Sequence, residues 1–218
     1  MTERTALVTG ASRGLGAAMA EELALRGWHV VAVARTVGGL EDLDDRVKRA
    51  ALPGAGALTL APMDVTADDA MRHLCRSVYD RWGGLRLWVH AAVHAAPLAP
   101  AGSLDQKDWE KSIATNIRAT GILIPLVEPL LRAQDGTALF FDDPMAGKPF
   151  FGAYGATKAA QIALAQSWQA ETARHGPRVV IATPQGMPTA TRARFHPGED
   201  RRKLADVPSE AARILDSL

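Results

Sequence analysis

Short apolar runs alternate along this chain with longer stretches whose apolar residues recur at helical spacing. The runs at 6–8, 30–34, 58–61, 87–90, 138–141 and 179–183 each hold a few apolar residues in succession and then give way to turn-forming or polar ones. Unbroken apolar runs are what strands need when helices cover both faces of their sheet. The stretches between and after them, at 14–26, 41–51, 67–82, 106–133, 153–174 and 208–217, read as helices. Repeated strand-helix units with right-handed crossovers predict an α/β fold, a doubly wound Rossmann-type parallel sheet of six strands in the order 3-2-1-4-5-6 with helices on both faces. Its ligand crevice would open at the carboxyl ends of strands 1 and 4, where the strand order reverses. No internal repeat and no linker rich in Gly, Ser or Pro divides the sequence, so 1–218 is expected to be one domain.

Composition narrows the setting. The 218 residues are 47% hydrophobic and 22% charged, ordinary globular values that suffice for one sizeable core. A formal net charge of +1, with acids and bases interleaved, gives no electrostatic ground for a nucleic acid or an anionic membrane as partner and leaves a small molecule as the expected ligand. Cys75 is the sole cysteine, which rules out an internal disulfide and a multi-cysteine metal site; no metal is expected. The charged opening "MTERTALVTG" leads straight into the first strand without a signal-peptide core, and no apolar stretch reaches bilayer length, so the expected location is cytoplasmic.

Two clusters carry candidate chemistry. "TGASRGLG", residues 9–16, joins the first strand to the first helix at the switch point, and its Gly10, Gly14 and Gly16 allow backbone N–H groups to approach an anion closely. Gly10, Ser12, Arg13, Gly14, Leu15 and Gly16 are therefore candidate phosphate-binding residues. At the end of the second strand, where an acid would bind the ribose hydroxyls of NAD(H), the chain has Arg35. A guanidinium pairs with a 2′-phosphate, so Arg35 and Arg13 favour NADP(H) over NAD(H). In "AYGATKAAQ", Tyr154 and Lys158 lie four residues apart on one face of a helix, where an ammonium favours the phenolate and suits Tyr154 to proton transfer.

These residues resemble the short-chain dehydrogenase/reductase superfamily over nearly the whole chain. Its T-G-x-x-x-G-x-G turn is matched by Thr9, Gly10, Gly14 and Gly16, and its Y-x-x-x-K by Tyr154 and Lys158. The acid that the family places near the adenine corresponds to Asp64, followed by Val65; its helix-4 Asn corresponds to Asn116; its Pro and Thr after strand 6 correspond to Pro184 and Thr189. The resemblance implies hydride transfer between NADP(H) and a small carbonyl or alcohol. Tyr154 would give or take the proton, Lys158 would lower its pKa and hold the ribose, and Asn116 would position a water linking Lys158 to solvent.

The departures are informative. The family's serine, about a dozen residues before the tyrosine, is missing from "LFFDDPMAGKPFFGAY": counting back thirteen residues reaches Phe141, while aligning "AG" reaches Asp143 or Pro144. A carboxylate at that place would repel a developing oxyanion and raise the pKa of Tyr154 unless burial kept it protonated as a donor, which makes Asp143 a candidate catalytic residue. His90 stands where the family's first Asn after strand 4 would be, a candidate cofactor neighbour with a backbone-bonding role, and Val93 stands where the Gly would be. Gln185 replaces the Gly after Pro184, and the sequence stops at Leu218, before the family's usual seventh strand. Residues 190–207, with Arg192, Arg194 and Phe195, are expected to form a substrate lid, and the helices at 106–133 and 153–174 to pair in a homodimer. The retained Tyr154, Lys158 and Asn116 point to an enzyme; the lost serine points to a catalytically weak NADP(H)-binding sensor.

Overall fold

The computed structural model describes residues 4–50 and 52–218. Among them, six parallel strands form one sheet: β1 (Thr5–Thr9), β2 (His29–Ala34), β3 (Leu58–Pro62), β4 (Leu87–His90), β5 (Thr137–Phe141) and β6 (Arg178–Ala182). Their order is β3-β2-β1-β4-β5-β6, as the alternation of apolar runs predicts. β1 and β2 are buried along their whole length, whereas the edge strands β3 and β6 are mostly half-buried, which is where Pro62 and Arg178 are tolerated.

Helices α1 (Gly14–Leu25), α2 (Val37–Ala50) and α8 (Val207–Asp216) cover one face of the sheet; α3 (Asp68–Trp82), α5 (Ala119–Arg132) and α6 (Gly152–Thr172) cover the other. On the first face Met19, Leu23, Leu40 and Ile214 share a core with Val8, Val30 and Val89. On the second, Met71, Leu123, Leu131 and Trp168 share one with Leu7, Trp88 and Phe140. Successive residues of β1 thus serve opposite cores, the period-two geometry of a strand buried on both sides.

Three local features differ from the sequence reading. α2 starts at Val37, four residues before the expected 41, because Gly38 and Gly39 read as helix breakers although they occupy its first turn. Gly39 is needed there: a Cβ on it would come within 2.8 Å of the Ser12 Cβ. Residue 51, the expected end of that helix, lies outside the described residues. The single helix expected over 106–133 is α4 (Gln106–Ser112), a π turn (Ile113–Arg118) and then α5. A π turn shifts the register by one residue without breaking apolar periodicity, so the pattern does not reveal it. The segment after Thr189 contains a short helix, α7 (Ala190–Phe195), and a 3-10 turn (Arg201–Lys203).

Candidate functional site

A cleft of about 420 Å³ opens beyond the carboxyl ends of β1, β2, β4 and β5, at the topological switch point. Its first wall is backbone. Gly10 adopts φ +83°, and a Cβ there would lie 2.7 Å from the Ala91 carbonyl carbon; a Cβ on Gly16 would fall on the Gly10 carbonyl oxygen. Only glycine lets the β1–α1 turn pack this closely against itself and the loop after β4. α1 begins after Arg13, extended at φ −165°, with no side chain capping it and no acid in its first turn. Its uncapped N–H groups and dipole fit a phosphate, and Ser12, Arg13, Gly14 and Leu15 line the cleft beside them.

Farther along the same wall, the Arg35 side chain is 60% exposed with Nη1 3.8 Å from Asp64 Oδ2. Asp64 Oδ1 accepts from both the N–H and the Oγ1–H of Thr66, at 2.9 Å each, which fixes the carboxylate at the cleft edge with Val65 beside it. The cradle and the guanidinium suit a phosphorylated dinucleotide.

The second wall is made of ionisable side chains. Tyr154 and Lys158 occupy the first two turns of α6. A Cβ on Gly155 would meet the Met145 carbonyl oxygen at 2.6 Å, so this glycine lets the helix start lie against the β5–α6 loop. That approach brings Asp143 to Tyr154: the phenol donates to Asp143 Oδ2 at 2.9 Å. Asp143, one of the alternatives read from the sequence, is the residue that meets Tyr154; Phe141 sits buried at the end of β5, and Pro144 lies on the exposed rim.

The electrostatics correct one expectation. Burial, and then the Asp143 carboxylate and its hydrogen bond, push the Tyr154 pKa well above the ordinary phenol value, not below it. Burial lowers the Lys158 pKa to about 8, with Asp143 and Asp142 opposing the shift. Lys158 is 5% exposed, and its Nζ donates to Gln161 Oε1 at 2.7 Å.

Two expected site residues do not line the cleft. His90 is 1% exposed and bridges Thr9 Oγ1 (2.8 Å from Nδ1) and Thr120 Oγ1 (2.9 Å from Nε2). Thr120 Oγ1 donates to the Asn116 carbonyl, so Nε2 carries the imidazole proton and donates to Thr120, while Nδ1 is left as an acceptor facing the Thr9 hydroxyl, which it shares with the Val89 carbonyl at 3.3 Å. Burial, with the Lys158 ammonium adding to it, lowers the His90 pKa to about 3. Asn116, in the π turn, uses its whole amide: Oδ1 accepts from the His94 N–H at 2.7 Å, and Nδ2 donates to the His94 carbonyl and to Thr157 Oγ1. It ties the π turn to the loop after β4, with both Nδ2 hydrogens engaged and Oδ1 accepting one bond.

Residues the sequence reading passed over complete the arrangement. Gln161 joins Lys158 to Thr120 through its Nε2 at 3.0 Å, so a buried chain runs from Lys158 through Gln161, Thr120 and His90 to Thr9. The only signal for it was a set of polar residues on helix faces that are otherwise apolar. At the rim, Thr189 Oγ1 caps α7 by accepting from the Arg192 N–H, and the Gln185 N–H donates to Glu210. Pro184 and Thr189 line the cleft, whose far end is closed by Phe195 packed on Tyr154, ring centroids 4.8 Å apart. Among the described residues no helix is long and apolar enough to cross a membrane, and no group of His, Cys, Asp and Glu is arranged to hold a metal.

The short chain dehydrogenase family profile matches residues 4–200. A protein of Haemophilus influenzae named as an NADP-dependent dehydrogenase is 30% identical over 207 residues, covering 93% of this chain and 79% of the relative. A short chain dehydrogenase from Pseudomonas syringae superposes with TM-score 0.85 at 28% identity, over 95% of this chain and 86% of that one. A short chain dehydrogenase from Shigella flexneri, solved with NADP, gives TM-score 0.85 at 25% identity over 95% and 87% of the two chains. With the glycine turn, the Tyr-Lys pair and the strand order in place, these similarities establish that the chain belongs to the short-chain dehydrogenase family.

Proposed function

We propose that the protein is an NADP(H)-dependent oxidoreductase acting on a small substrate with a polar double bond, the carbonyl/alcohol pair being the class its family leads one to expect. The observation that carries this reading is the continuity of the cleft, which runs from the uncapped start of α1 past Arg35 on one side and reaches Tyr154 and Lys158 on the other. Bound there, the dinucleotide would supply or accept the hydride. Gly10, Ser12, Arg13, Gly14, Leu15 and Gly16 would hold its pyrophosphate, Arg35 its 2′-phosphate, Asp64 and Val65 the adenine side, and Lys158 the ribose. Pro184 and Thr189 would border the nicotinamide. Tyr154 would stand at the reacting end, where a carbonyl substrate would take its proton, and residues 190–207 would close over the substrate.

A weakly catalytic NADP(H) sensor remains the second reading. It is favoured by the hydrogen bond that commits the Tyr154 proton to Asp143, where the family has a neutral donor. We also propose a homodimer through α5 and α6, whose outward positions include Gly121, Pro125, Ala156, Ala159 and Ala163, and a cytoplasmic setting that suits the buried, unpaired Cys75.

Cofactor choice is tested by fluorescence titration. NADPH should bind at least about tenfold more tightly than NADH, and Arg35→Asp should abolish the difference. Equal affinities in the wild type would overturn the NADP(H) preference.

A further inference from the structure

We propose that the cleft takes a protonated nitrogen compound, an iminium ion or its amine on a compact apolar body, with Asp143 as the counter-ion that selects it. This rests on reading the cleft as a hydride-transfer site and names the substrate class for it.

The first ground is the charge at the reacting end. Asp143 meets the Tyr154 hydroxyl directly, where a carbonyl substrate would develop negative charge on oxygen. A carboxylate there opposes that charge. The same carboxylate attracts a C=N group carrying a proton, which presents an N–H donor and a positive charge at the position a carbonyl oxygen would take.

The second ground is that, among the described residues, no cation makes a direct ion pair with this carboxylate, although Lys158 and Arg192 act on it electrostatically from farther away. Lys158 is bonded to Gln161, and Arg192 is held by both oxygens of Glu199 at 2.6 Å. Among the described residues, neither of these cations nor any other forms an ion pair with Asp142 or Asp143. A cationic ligand would supply the missing partner.

The third ground is the state of Tyr154. Burial and Asp143 hold it firmly as a neutral phenol, a poor base for an alcohol and a weak acid for an oxyanion. Reduction of an iminium ion asks for neither. The C=N carbon receives a hydride from the reduced nicotinamide, the π pair becomes the nitrogen lone pair, and the nitrogen already carries its proton from solution. Charge balances: cation and hydride give a neutral amine, and NADPH is oxidised to NADP+. Tyr154 then serves by orienting the carboxylate.

The rest of the pocket limits the body of the ligand. Val93, Met145, Tyr154 and Phe195 line the cleft, with Phe151 packed on Phe195, so apolar side chains stand beside the carboxylate. A small ring or aromatic amine, with its charge confined to one end, matches that division.

The test pairs a binding measurement with an activity measurement. Calorimetry in the presence of NADP+ should show 1,2,3,4-tetrahydroisoquinoline binding at least about tenfold more tightly than its carbocyclic alcohol counterpart, 1-tetralol. Asp143→Asn and Asp143→Ser should each weaken the amine by about tenfold or more while NADPH affinity, measured alongside as the control for folding, stays within about twofold. NADPH oxidation should be at least about tenfold faster in kcat/KM with 3,4-dihydroisoquinoline than with 1-tetralone, and Asp143→Ser should narrow or reverse that ratio. Preference for the ketone in the wild type, or amine binding indifferent to Asp143, would overturn the proposal and leave the oxidoreductase reading standing. Asp143-dependent amine binding with no turnover of either compound would support the charge selection and overturn the enzyme reading. Absence of both NADPH and amine binding would overturn both.

Discussion

At the β1–α1 turn the cleft is walled by backbone, while at the β5–α6 connection it is walled by ionisable side chains. The first wall depends on the absence of side chains at Gly10 and Gly16, and its binding groups are peptide N–H donors fixed by the fold itself. The second depends on Asp143, Tyr154 and Lys158, the last two with proton affinities shifted by burial and by the Asp143 carboxylate. A backbone site is rigid and indifferent to pH, so it suits a ligand that many related proteins share. A side-chain site changes character with one substitution, so it is where a member of a family acquires its own substrate.

The sharpest way to break this comparison is to put a side chain into the backbone wall. Gly16→Ala would drive a methyl onto the Gly10 carbonyl, and backbone cannot yield as a flexible side chain can. A loss of about 3 kcal/mol in stability is expected, together with loss of NADPH binding. Urea denaturation and fluorescence titration of the variant measure both. A loss under about 1 kcal/mol with binding retained would mean that this wall is as adaptable as the other.

The buried polar chain behind the second wall gives the next largest effect. His90 takes up a proton near pH 6.5 in an unfolded chain but only near about 3 in its buried site. Between those values the unfolded state binds more protons, so this residue's contribution to stability is intact above pH 6.5 and falls as pH drops toward 3. By pH 5 the loss amounts to about 2 kcal/mol. His90→Asn, which cannot titrate, should flatten the acid limb by that amount when unfolding free energies are compared from pH 7 to 5. An unchanged slope would remove His90 from this role.

Why one wall could be read in the sequence and the other only in part follows from the same contrast. Glycine spacing, buried apolar strands and an i, i+4 pair are local patterns, and they placed all six strands, the β1–α1 turn and the Tyr154–Lys158 face. The Asp143–Tyr154 contact depends on the path of the loop between them, set by the close approach of Gly155 to Met145, which spacing along the chain does not encode. His90 and Asn116 matched or replaced motif positions, yet their side chains turn to Thr9, Thr120, Thr157 and the His94 backbone instead of the cleft. Gln161 left only a weak signal, because a polar residue on an otherwise apolar helix face reads as surface until its neighbours are known.

The smallest effect tests whether the backbone wall stands without support from α8. Gln185 stands where the family has a glycine, and its N–H donates to Glu210 Oε1 at 2.9 Å, linking the loop beyond β6 to α8. Glu210 is 2% exposed and also accepts from Arg213 at 2.6 and 2.8 Å. The Arg213 bonds hold its pKa below the ordinary carboxylate value, with burial opposing them and the Gln185 bond assisting. A lowered folded-state pKa means that this contribution is present above the unfolded value and is lost as pH falls through the folded one. α8 also packs against α1, whose first turn lines the cleft, so Glu210 lies on a path between Gln185 and that turn. Glu210→Gln keeps an acceptor for Gln185 but removes the charge that holds Arg213, and should cost about 1 kcal/mol with an NADPH affinity loss of no more than about threefold. If NADPH binding instead fell as far as in Gly16→Ala, the backbone wall would owe its rigidity to α8 and not to its own glycines.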